Sequence, residues 1–179
     1  MRVFSAIPFP ENIKSLTGRL LQGKLPVNYV NTDNLHITLN FFGELETDQV
    51  ARLKDLFQQI LKEEKSFPVE FDKLAKFHSQ IHMTLKPNEA LKNLQDKMKK
   101  AFSAIGGSAS GGQDREYYPH VKIANMHFDK VMNMNRKIEN FPNNELSQLN
   151  FKAEKVVLYE SKLLLHHAHH YPLVKVKLL

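Results

Sequence analysis

At 179 residues the chain is long enough for one domain built of two lobes on a shared core, and no apolar run reaches the roughly 18 residues that cross a bilayer. It holds no cysteine, which excludes disulfides, thiolate metal sites and cysteine nucleophiles. Lysine and arginine total 25 against 19 aspartate and glutamate, a net charge of +6 that fits a polyanionic partner as well as a lysine-rich solvated surface.

The opening MRVFSAIPFPENIKS breaks any leader-like apolar stretch with Pro8, Pro10 and Glu11. It predicts a first strand over Arg2–Pro8 and a cytoplasmic protein. Ile13, Leu16, Leu20 and Leu21 recur at helical spacing over 10–23, with Pro10 suited to a first turn. From Leu35 to Gly43 the residues alternate. Leu35, Ile37, Leu39 and Phe41 are expected on one face, with His36, Thr38, Asn40 and Phe42 on the other. Thr47 is expected to cap a helix over 47–62 with the stripe Val50, Leu53, Leu56, Phe57, Ile60 and Leu61. Two strands, 67–77 and 80–85, should turn at His78 and Ser79, and a second amphipathic helix should fill 88–105. The stretch GGSASGGQD reads as a loop, Tyr117 to Phe128 as strand, 129–138 as a weaker helix, and FPNNE as loop. Strands over 151–162 and 171–178 close the chain. Strand–helix–strand–helix, twice over, predicts an α+β fold with two similar halves.

Nine histidines organise the functional reading. Three stand at the head of a His-x-x-apolar strand segment: His36-Ile37-Thr38-Leu39, His82-Met83-Thr84-Leu85 and His120-Val121-Lys122-Ile123. Residues i and i+2 of a strand share a face, so His36 and Thr38 project together. Two such strands facing each other would set two imidazoles around one phosphate, one as base and one as acid. Histidine suits this because both protonation states are available near neutrality. The scheme calls for no metal and no cofactor, and the spacing alone leaves open which two of the three are paired.

The stretches FSAIPFPENI, NLHITLNFFGEL, YYPHVKIA and the closing VVLYESKLL with YPLVKVKLL resemble the 2H phosphoesterases, specifically the bacterial LigT-like RNA 2′,3′-cyclic phosphodiesterase (RNA 2′-5′ ligase) group, over essentially the whole chain. The resemblance implies one domain over 1–179, with two pseudo-symmetric lobes. Each lobe would be an antiparallel sheet with helices outside, and the lobes would face across a cleft. It also implies that His36 pairs with His120, because the family's motif spacing fits that pair and His36 to His82 is about half of it. His82 would then be an ordinary strand residue. Implied too are hydrolysis of RNA 2′,3′-cyclic phosphate ends to 2′-phosphomonoesters, reversible 2′-5′ ligation, and RNA ends such as tRNA fragments as substrate; a monomer is the default expectation. One histidine would act as base and the other as acid, the sequence not distinguishing which, and Thr38 would hold a phosphoryl oxygen.

Where the family carries Thr or Ser two residues past its second histidine this chain has Lys122, and where it often has Arg it has Asn125. Lys122 is expected to bind phosphate as a point charge without arginine's fork. Phe42, Arg115 and Tyr118 are expected substrate contacts, and Tyr117 could contact base or backbone. His166, His167, His169 and His170 read as a solvated turn rather than a metal site. Two alternatives stand beside the main reading: an RNA- or nucleotide-binding protein without turnover, and a relative cleaving another cyclic or 2′-5′ phosphodiester.

Overall fold

The computed structural model describes residues 1–104, 117–126, 134–164 and 167–179. The chain runs through β1 (Arg2–Pro8), α1 (Glu11–Leu21), β2 (Asn28–Tyr29), a 3-10 turn (Thr32–Asn34), β3 (His36–Glu44) and α2 (Thr47–Leu61). It continues through β4 (Phe67–Val69), β5 (Phe71–Phe77), β6 (Gln80–Leu85), α3 (Glu89–Ala104) and β7 (His120–Asn125). The final elements are α4 (Met134–Glu139), α5 (Asn143–Leu146), β8 (Phe151–Ala153), β9 (Lys155–Leu164) and β10 (His167–Lys177).

Two four-stranded antiparallel sheets form the lobes, in the orders β10-β9-β1-β3 and β2-β7-β6-β5, while β4 and β8 make a separate ribbon. The expected α+β architecture with two antiparallel lobes holds. Strand β1 lies inside the first sheet, and Val3 to Ile7 are all buried, as a strand covered on both faces requires. Helix α2 turns Val50, Leu53, Phe57 and Leu61 inward, and α3 does the same with Leu91, Leu94, Met98 and Phe102. Each such side chain contributes roughly 1.5–3 kcal/mol by leaving water. The two lobes share one contiguous core, and β3 of the first meets β7 of the second.

Several local expectations needed correction. Thr47 is the first helical residue and Glu46 the cap, with the Glu46 N–H donating to Gln49 Oε1 at 2.9 Å. The strand expected over 67–77 is split at Glu70, because β4 pairs with β8 while β5 pairs with β6. The strand expected over 151–162 likewise divides at Glu154. FPNNE contains the start of the short α5 behind Pro142, where a missing N–H costs nothing. The Gly/Ser stretch and the first part of the weaker helix fall outside the described residues.

The correction that bears on the site lies in β3. Its pairing with β1 shifts twice, leaving Leu39 and Phe42 each as an extra residue in the longer strand. The first bulge reverses the alternation. Asn40 and Phe42 are buried, and Phe41 is half-exposed under the Arg2 guanidinium at 4.9 Å. Phe42, expected beside His36, is instead 2% exposed and packs on Phe102 of α3 at 4.6 Å. It is core and lines no cleft.

Candidate active site

His36 opens β3, opposite Pro8 of β1. Its Nδ1 lies 2.6 Å from the backbone oxygen of Asn34. His120 opens β7 in the same way, with Nδ1 2.8 Å from the backbone oxygen of Tyr118. A carbonyl can only accept, so in each ring Nδ1 carries the hydrogen and donates, and Nε2 is the nitrogen outside that bond. The same two-residue loop-back at the head of two strands, one from each lobe, thus fixes both tautomers alike.

The surroundings of the two rings differ. His36 sits among Phe4 at 5.1 Å and His170 at 5.3 Å, the latter edge-on. Burial lowers its pKa to about 4, with His170 and His120 adding like charge and the Asn34 carbonyl opposing the shift. It is therefore neutral at physiological pH, with Nε2 bare. His120 is half-exposed and lies face to face with His82, the ring centroids 4.1 Å apart and the planes 14° from parallel. Tyr118, 54% exposed, lies beside His120 with ring centroids 6.0 Å apart.

Thr38 follows His36 on the same face and is half-exposed. Lys122 follows His120, opposite His82 in the neighbouring strand. Burial lowers the Lys122 pKa. Tyr117 is a cross-brace: its hydroxyl donates to the Thr38 backbone oxygen at 2.8 Å, and burial raises its pKa. That hydroxyl is thereby committed to the protein, not to a base. Arg115 lies outside the described residues.

Two site neighbours, Phe4 and Tyr159, were not singled out from the sequence, and a third, His170, was placed in a turn. Phe4 and Tyr159 stack at 5.2 Å, and His170 packs against Phe4 at 4.9 Å. The His-rich stretch is not simply a solvated turn. It enters strand β10, where His170 is half-buried beside His36 and His169 is exposed on Tyr171 at 4.5 Å. Asn34 Nδ2 ties this strand to the His36 loop by donating to the Ala168 oxygen at 3.0 Å. His166 lies outside the described residues. Strand period would have placed His170 on one face, but only the length of β10 brings that face to His36.

A family model described as the 2′-5′ RNA ligase superfamily matches residues 9–163. The chain is 26% identical over 166 residues to the RNA 2′,3′-cyclic phosphodiesterase of Methanocaldococcus jannaschii, covering 91% of this chain and 92% of that protein. It is 26% identical over 130 residues to the Bacillus subtilis protein of the same name, covering 68% and 69%. Among solved structures, E. coli LigT complexed with 3′-AMP superposes with a TM-score of 0.80 at 21% identity, covering 99% of this chain and 97% of that one. At that identity the likeness is one of fold.

Proposed function

The chain belongs to the 2′-5′ RNA ligase superfamily, the 2H phosphoesterases, and from that premise we propose that it hydrolyses 2′,3′-cyclic phosphate ends of RNA to 2′-phosphomonoesters by a two-histidine mechanism. The observation that carries the reading is the matched pair of imidazoles, His36 on β3 and His120 on β7, each anchored through Nδ1 on a carbonyl and presenting Nε2. The names of the M. jannaschii and B. subtilis relatives support the substrate class, and the net charge of +6 suits an RNA ligand.

The proton roles follow from the two environments. His36, kept neutral because desolvation at its place among Phe4 and His170 holds its pKa down, is the group able to accept the proton of an attacking water at Nε2. His120 donates its Nε2 proton to the departing 3′ oxygen. The new bond is water oxygen to phosphorus, the broken one phosphorus to O3′. The histidines end with their protonation states exchanged, and solvent resets them. The sequence leaves this order open, and the low pKa of His36 supports it. Thr38 holds a non-bridging oxygen, and Lys122 neutralises charge gathering on the phosphoryl group. Tyr118, exposed beside His120, takes the sugar or base. If the 5′-hydroxyl of a second RNA end replaces the water, the same two transfers form a 2′-5′ bond.

The test is incubation with a short RNA ending in a 2′,3′-cyclic phosphate in the presence of EDTA, following the product by phosphorus NMR. A 2′-phosphomonoester formed by the wild type supports the reading. A 3′-phosphate product, or no turnover, contradicts it.

A further inference from the structure

The hydrolytic scheme gives His82 no task, yet the fold places it with care. Its side chain is 3% exposed on β6, the strand beside β7, with Lys122 as its Cα partner and Thr84 opposite His120. One face of the ring lies on His120 at 4.1 Å and 14°. The other lies on Phe77 of β5, at 5.6 Å and 24°. Phe77, His82 and His120 therefore form a row of near-parallel rings across three adjacent strands. His82 Nε2 is 3.0 Å from Gln80 Oε1, and its Nδ1 has no hydrogen-bond partner among the described residues. Leaving a buried nitrogen unpaired costs free energy that an apolar residue of similar size would avoid.

His120 needs what this ring supplies. Its hydrogen bond to the Tyr118 oxygen fixes one atom of the imidazole but leaves the ring free to rock about that contact. A flat surface at van der Waals distance fixes the plane. It must also be a surface that tolerates an imidazolium, and an uncharged aromatic face does so through its quadrupole. His82 qualifies, since burial and then the charges of His120 and Lys122 hold its pKa at about 4, so it stays neutral when His120 is charged.

We propose that His82 is a positioning residue: its ring is the platform that holds the plane of His120 and keeps Nε2 aimed into the cleft in both protonation states. The inference rests on the reading that His120 acts on the substrate.

The test compares His82→Phe, which keeps a flat ring, with His82→Leu, which fills the site without one. The full chain is assayed on the cyclic-phosphate RNA, and the His120 ring protons are followed by NMR. His82→Phe should keep kcat within about threefold of wild type. His82→Leu should lose about tenfold or more in kcat with KM changed less than about threefold, the signature of a misaimed group rather than a lost binding contact. The His120 Hε1 resonance should move in His82→Leu as the neighbouring ring current disappears, and stay near its wild-type position in His82→Phe. Equal turnover by the two variants would overturn the proposal. So would an equal loss in both, which would give the role to the ring nitrogens rather than to the flat face. Should the wild type itself fail to turn over, the functional reading has failed. NOEs from the His120 ring protons, compared between wild type and His82→Leu, then still decide whether His82 holds the plane of His120.

Discussion

The hydroxyl of Tyr117 donates to the backbone oxygen of Thr38 across 2.8 Å, joining the approach to one lobe's histidine directly to the strand that carries the other's. Thr38 lies two residues past His36 and Tyr117 three before His120, so this bond sets how far apart the two motifs stand. Tyr117→Phe removes the donor while keeping the ring. It should cost about 1 kcal/mol in urea denaturation and lower kcat about tenfold through misalignment of the two imidazoles. An unchanged kcat would show that the core alone sets the spacing.

His36 offers a titration with a defined sign. In the free protein its pKa is held down to about 4, chiefly by burial, and kcat/KM reports the free enzyme. The acid limb of kcat/KM should therefore fall near pH 4 and not near histidine's ordinary 6.5. An anion in the cleft favours the imidazolium, so saturating inorganic phosphate should raise the His36 pKa in an NMR titration.

Much of the candidate site's layout could be read from the sequence, because it is written in strand period. His36 with Thr38 and His120 with Lys122 are i, i+2 pairs, and the structure places each pair on one strand face. What could not be read depends on register between strands. Phe42 left the His36 face because a bulge opposite Ser5 and Ala6 reversed the alternation of β3. His82, one strand before His120 in sequence with helix α3 between them, became its stacking partner only through the pairing of β6 with β7. His170 reached His36 because β10 begins before the point expected from its apolar pattern.

Burial of neutral histidines also predicts how stability responds to acid. His36 and His82 each titrate at about 4 when folded, against an ordinary value of 6.5. Between those values the unfolded chain binds protons that the folded chain refuses, so stability must fall as pH drops from about 6.5 to about 4. Thermal melts at pH 7 and pH 5 should show a lower Tm at pH 5. The decrease should be smaller for His82→Phe, which removes one of the two groups.

Lys122 is expected to act on charge that develops in the transition state. Lys122→Met keeps the aliphatic stem, so its loss of kcat/KM isolates the ammonium and should be about 10- to 100-fold. Lys122→Thr puts a hydroxyl at this point. Its kcat/KM should exceed that of Lys122→Met, because a hydroxyl also donates to a phosphoryl oxygen.

The most direct measurement of the central claim is kcat for His36→Asn, His120→Asn and the double variant, on a cyclic-phosphate RNA with EDTA present. Base and acid act in one step, so each single substitution should cost about 100- to 10,000-fold. The double variant should then lose little more than the worse single one. A single variant retaining more than about a tenth of the wild-type rate would contradict the paired-imidazole mechanism.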